Sequence, residues 1–130
     1  MYTFHKEERL CSVKLIQSLF HNGSSFVVYP FRIVYQTEHA TEVRAKVLIS
    51  VSKRRFKHAV TRNRIKRMIR EAYRLEKPSG LSVYLSQSPK SLHFAVQYIG
   101  KQPEAVLPYL REKMILVFKK LHDETARLDS

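Results

Sequence analysis

Acidic residues are scarce in this sequence: 11 Asp and Glu stand against 24 Lys and Arg, leaving a formal charge of +13 over 130 residues. The carboxylates are also dispersed, from Glu7 and Glu8 through Glu38, Glu42, Glu71, Glu76, Glu104 and Glu112 to Asp123, Glu124 and Asp129, with no D-x-D spacing. A nuclease acting by itself would need carboxylates gathered to hold Mg²⁺, or a histidine pair for acid and base work. Neither is visible. One cysteine, Cys11, excludes an internal disulfide, and with six scattered histidines it offers no zinc-ligand spacing; it reads as a small buried hydrophobe in a helix. Three glycines cannot build a Gly-rich phosphate loop. There is no long apolar span, amphipathic anchor or lipidation signal, and the opening MYTFHKEERL lacks the apolar region of a secretory signal. The expectation is a cytoplasmic protein with no membrane partner and no dedicated metal or cofactor site. Without repeats or linkers, residues 1–130 read as one domain, with 125–130 frayed.

What is present in excess is positive charge, and a pI near 10.1 bears on partners more than on fold. The charge is concentrated between Ser50 and Arg74. That run starts as an apolar strand (Val47, Leu48, Ile49, Val51), passes through a basic turn (Lys53, Arg54, Arg55, Lys57) and becomes a cationic helix from Ala59 to Lys77. At about 100° per residue, Ile65, Met68, Ile69, Ala72 and Leu75 share one arc, suited to dock on a sheet. Arg62, Lys66, Arg70 and Arg74 rise one above another on a second arc, with Asn63 and Arg67 beside them, and Arg64 stands apart on the far flank of the apolar stripe. Like charges at spacing three or four weaken a helix by a few tenths of a kcal/mol each. The countercharge is therefore expected on a partner. Guanidinium groups suit phosphate oxygens, to which each can donate two parallel hydrogen bonds. His58, inside this zone, reads as a phosphate or solvent contact.

Around this block, a helix is expected from Glu7 to Asn22, with Ser12 as cap and Gly23 as stop. Lys6 and Arg9 lie at its start, unfavourably for the helix dipole, and read either as solvated surface or as phosphate contacts. Phe26 to Gln36 favours a strand in which Pro30 marks an edge or a bulge. Glu42 to Val51 reads as a second strand, paired with the first as a hairpin, and Lys53 to Phe56 as a short third one. Leu81 to Leu85 fits a helical turn or a short strand equally. Leu92 to Ile99 predicts a buried strand, and Glu104 to about Asp123 a final helix with Pro108 in its first turn. Together these predict an α+β sandwich of a sheet with helices packed on it.

The stretch SVSKRRFKHAVTRNRIKRMIREAYR closely resembles the bacterial ribonuclease P protein family, whose hallmark is S-V-x-K followed by A-V-x-R-N-R-x-K-R and an R-E pair. Here these are Ser50, Val51 and Lys53, then Ala59, Val60, Arg62, Asn63, Arg64, Lys66 and Arg67, and Arg70 with Glu71. Upstream, Arg9, Leu10, Phe20 and Gly23 match more loosely. The resemblance implies about four strands with three helices in αβββαβα order, with a left-handed βαβ crossover against the general preference. It implies a non-catalytic, monomeric subunit whose partners are the ribonuclease P RNA, which carries the Mg²⁺ that performs hydrolysis, and precursor tRNA with its 5′ leader. By the same resemblance Arg62, Asn63, Arg64, Lys66, Arg67 and Arg70 bind the catalytic RNA. Ser52, Lys53, Arg54 and Arg55 lie near the leader, and Phe20 lines the leader cleft. Ile16 and Val34 occupy cleft positions where the family often has aromatics, which leaves fewer faces for base stacking. Lys6, Arg9, Lys57, His58 and Arg74 are further candidate phosphate contacts. The alternative on composition and charge is a ribosomal or other structural RNA-binding protein.

Overall fold

β-Branched and aromatic runs become strands here, and stretches of 3.6-residue apolar period become helices. The computed structural model describes residues 9–39, 44–86, 90–101 and 106–129. Its elements are α1 (Val13–Asn22), β1 (Ser24–Val28), β2 (Phe31–His39), β3 (Ala45–Val51), α2 (Ala59–Glu76), α3 (Leu81–Ser86), β4 (Lys90–Tyr98) and α4 (Leu107–Asp129). The architecture is the expected α+β one, with a fourth helix added: the segment after Gly80 forms the short α3, which buries Leu81 and Leu85.

The sheet order is β1-β2-β4-β3, antiparallel except for the parallel β3/β4 pair. Two strand expectations need correction. Phe26 to Gln36 is not one strand, because a cis Tyr29–Pro30 turn folds it into a hairpin that pairs Ser24 with Tyr35 and Val28 with Phe31. Nor do β2 and β3 form a hairpin, since β4 lies between them. The reason is burial. β4 is covered on both faces, through Phe94, Val96 and Tyr98 on one and Ala95 on the other, so it takes the interior, whereas β1 exposes Ser25 and Val27 and tolerates an edge. The short strand expected at Lys53 to Phe56 is a turn, closed by the Phe56 N–H donating to Ser52 O at 3.1 Å.

The main core lies on one face, where Phe31, Ile33, Tyr35, Val47, Phe94 and Val96 meet α2, α3 and α4. The buried arc of α2 is Ile65, Ile69, Ala72, Tyr73 and Glu76. It is rotated from the expected one, because the large Tyr73 ring packs against Phe94 and Phe118 and leaves Leu75 at the margin. α4 contributes Leu110, Met114, Val117, Phe118 and Leu121. It runs to Asp129, with the Thr125 hydroxyl donating to Leu121 O at 2.7 Å.

Glu76 brings a carboxylate into the α2/α4 contact, where the Arg111 Nε donates to its Oε2 at 2.6 Å. Arg111→Ala should cost about 1 to 2 kcal/mol, less than a fully buried pair because Arg111 is half exposed. Urea unfolding of Arg111→Ala, Glu76→Gln and the double variant checks this: the double should cost less than the sum of the singles.

On the opposite face, Leu10, Leu19, Val34 and Ala95 form a small second core, with Leu15, Ile16 and Leu48 packed around it. α1 lies over it. Ser12 caps the helix as expected, accepting from the Leu15 N–H at 3.3 Å, and the Gly23 N–H ends it by donating to Leu19 O at 2.8 Å. The helix is shorter than expected at its start. Arg9 bridges to Val47, and the Leu10 N–H donates to Val47 O at 3.0 Å, so this segment extends the sheet edge; Glu7 lies outside the described residues. Cys11 falls before the helix and is exposed, contrary to its expected burial.

Candidate nucleic-acid interface

The basic turn is held by one apolar residue. Phe56 is buried with its ring 6.0 Å from that of Tyr98, and around it Ser52, Lys53, Arg54, Arg55, Lys57 and His58 are all exposed. Backbone geometry does the rest: Ser52 Oγ accepts from the Arg54 N–H at 3.1 Å, and Arg55 Nη1 donates to Ile99 O at 3.2 Å. The cations of this turn therefore radiate from a fixed base.

Arg62 has an inward task. Its Nη1 donates to Phe56 O and to Lys57 O, each at 2.8 Å, stapling the turn to the first turn of α2 where His58 supplies no side-chain cap. A guanidinium carries five donors, so the half-buried Arg62 retains capacity for an anion. Farther along, Asn63, Arg64 and Arg67 are exposed, and Lys66 and Arg70 are half-buried beside them. Among the described residues no acid pairs with Lys66, Arg67 or Arg70. Arg74 departs from the expected row, because both its Nε and Nη2 donate to Glu71. The hydrogen bond from Arg74 holds the Glu71 carboxyl below the usual carboxylate range.

Arg64 was expected to stand apart from the other cations, yet the fold brings it together with Arg67. Both line an open concavity of about 370 Å³ between α2 and the start of α4, with Met68, Glu71 and Leu107. Positions 64 and 67, three apart on α2, are neighbours on any α-helix, and with Tyr73 on the inside both face outward.

The second face carries the other candidate residues. Val34 is only 3% exposed beneath α1, and Ile16 packs on the same cluster, so both hold the helix to the sheet. The expectation of Val34 as a ligand contact is corrected accordingly: an apolar residue there attracts α1, leaving no surface. Phe20 keeps 42% of its surface open and is the aromatic that α1 presents. At one end of this face, Val27, Arg32, Gln97 and Ser50 form a row across all four strands, with Arg32 Nη1 donating to Gln97 Oε1 at 2.7 Å. Sequence reading missed Arg32 and Gln97 as site residues. Their signal was a polar residue at period two in otherwise apolar strands. Lys6 lies outside the described residues, and Arg9 is exposed at the sheet edge.

Among the described residues, no group of three or more His, Cys, Asp or Glu side chains is placed to hold a metal ion. No described helix is long and apolar enough to cross a membrane. What this surface can do is bind anions, through exposed guanidinium and ammonium groups on two connected elements.

A family model described as Ribonuclease P matches residues 4–102. The ribonuclease P protein component of Porphyromonas gingivalis is 50% identical over 74 residues, which cover 55% of this chain and 53% of that protein. The chain thus spans about half the length of that relative. The ribonuclease P protein component of Chlorobium phaeobacteroides is 36% identical over 107 residues, covering 75% of this chain and 73% of the relative. Among solved structures, the RNase P protein from Thermotoga maritima superposes with a TM-score of 0.68 at 22% identity, covering 87% of this chain and 96% of the other, which speaks to the fold.

Proposed function

The chain belongs to the ribonuclease P protein family, and from that premise we propose that it is the non-catalytic RNA-binding subunit of an endoribonuclease that removes 5′ leaders from precursor tRNA in the cytoplasm. Its partners in this reading are a large catalytic RNA and the precursor tRNA. Mg²⁺ held by that RNA supplies the hydrolysis. The chain's own residues bind and position.

The observation that carries the proposal is the outward side of α2, where Arg64, Lys66, Arg67 and Arg70 present cations beside Asn63, with no described acid against Lys66, Arg67 and Arg70. Laid on folded RNA, these groups replace condensed counterions, and the release of those ions favours binding. Arg62 shapes the turn that delivers Lys53, Arg54 and Arg55 toward the leader. Phe20 and the Arg32–Gln97 row supply a surface for an unpaired strand, with one aromatic face and a fixed guanidinium. Ile16 and Val34 support that surface from below. By neutralising phosphates, the subunit lowers the metal concentration the RNA needs.

The test is precursor tRNA trimming across Mg²⁺ concentration. The protein alone should give no cleavage, and its addition to a ribonuclease P RNA should restore cleavage at low Mg²⁺. No stimulation at any Mg²⁺ concentration would overturn the proposal. Glu71 allows a sharper check. Glu71→Gln removes the charge that occupies Arg74, so it should strengthen RNA binding about two- to fivefold at low salt, the scale of one exposed ion pair. Equilibrium binding at two salt concentrations reads this, and an unchanged affinity would show that Arg74 lies off the interface.

A further inference from the structure

The end of the sheet beyond the Arg32–Gln97 row carries aromatic surface that no role above uses. The Ile99 N–H donates to Pro30 O at 2.8 Å and Ile99 O accepts from Arg55 at 3.2 Å, so one residue joins the Tyr29–Pro30 turn to the basic turn. Tyr29 is 52% exposed there, and Tyr109, on the first turn of α4, is 37% exposed. At the end of β4, paired with Phe31 beside that turn, the Tyr98 ring is buried against Phe56, and a Cβ at Gly100 would come within 2.5 Å of the Tyr98 hydroxyl, so the strand end is packed. Burial raises the Tyr98 hydroxyl above its ordinary range, and the Tyr29 and Tyr109 hydroxyls are near enough to add to the rise. Lys113 Nζ stands 5.5 Å from the Tyr109 ring centroid, and Lys101 is exposed beside Gly100. Glu112 is the acid on this part of α4.

We propose that Tyr29 and Tyr109, with Arg55 and Lys113, form a stacking platform for unpaired nucleotides of the leader strand, beyond those held against α1. The proposal rests on the function given above and extends its path. Two half-open rings at a rigid sheet end, flanked by cations, match what unpaired RNA requires: flat faces for bases and positive charge for phosphates. The leader is favoured over folded RNA because Arg55 ties this platform to the turn that faces the leader, and because paired bases offer no free faces to stack.

The experiment measures affinity of the reconstituted ribonucleoprotein for precursor tRNAs with leaders of increasing length, using wild type, Tyr29→Ala/Tyr109→Ala and Tyr29→Phe/Tyr109→Phe. Wild-type affinity should rise with leader length. The alanine pair should lose about tenfold on long leaders and nothing on the shortest, the scale of one stacked base. The phenylalanine pair, which keeps both faces, should match wild type. Equal losses at every leader length, or no loss on long ones, would overturn the platform while leaving the subunit's function standing. A wild-type affinity indifferent to leader length would overturn leader binding itself and the platform with it.

Discussion

Replacing Lys66, Arg67 and Arg70 together by Ala should weaken binding of a ribonuclease P RNA by about a hundredfold or more at moderate salt. At least about 1 kcal/mol is expected from each phosphate contact, and about 3 kcal/mol is a factor above a hundred. The plot of log affinity against log salt should become shallower by about two to three, one increment per phosphate no longer neutralised. Stability should move the other way or not at all. These cations sit four and three residues apart on one helix, where like charges repel, and the residues that anchor α2 are Ile65, Ile69, Ala72 and Tyr73. Unfolding in urea, run beside the binding titration, separates the two effects. Lys119→Ala, an exposed cation of α4, serves as the control and should change affinity by less than about twofold. A triple variant that binds like wild type would place the RNA surface elsewhere.

Gly23→Ala should be the most damaging conservative change on the other face. A Cβ at this position would stand 2.4 Å from Leu19 O, 2.8 Å from Tyr35 O and 3.1 Å from the Val34 side chain. The first two are backbone atoms of α1 and β2, which cannot swing aside as a side-chain end can. Either the end of α1 lifts or β2 bends. The cost should be about 2 to 4 kcal/mol, a large part of the stability of a small domain. Because Phe20 lies three residues before Gly23, lifting the helix end should also remove the gain in affinity that a leader provides, while binding of the catalytic RNA through α2 survives. Urea unfolding and affinities for precursor and mature tRNA check both halves. A loss under about 0.5 kcal/mol would mean that α1 is not held at this point.

The cationic helix and its exposed cations were legible because their signal is local: period 3.6, a dense basic block and few acids. The sheet order was not. Whether β3 pairs with β2 or β4 depends on which strand is apolar on both faces, and that competition involves residues some fifty positions apart in sequence. The hairpin at Tyr29–Pro30 was half legible, since Pro30 signalled an interruption without saying that the chain reverses. The face of α2 was misjudged by about one residue. Leu75 and Tyr73 both suit burial, and only the space between Phe94 and Phe118 selects the larger ring. That rotation turned Arg64 outward with its neighbour Arg67, and the loop carbonyls claimed Arg62. Val34 illustrates the same limit. A hydrophobic residue in a strand can floor a cleft or hold a helix, and the decision lies with Leu19 and Ile16 of α1. Arg32 and Gln97 became a pair only once β2 and β4 were neighbours.

Proximity crosslinking from single positions bears most directly on the interface. With Cys11→Ser removing the native thiol, a photoreactive group attached at Asn63→Cys, on the exposed side of α2, is compared with one at Asp123→Cys on α4, both in the reconstituted ribonucleoprotein. Strong crosslinks to a confined region of the catalytic RNA from position 63, and few from position 123, are the predicted result. Crosslinks from 123 alone, or equal and scattered ones from both, would contradict the account.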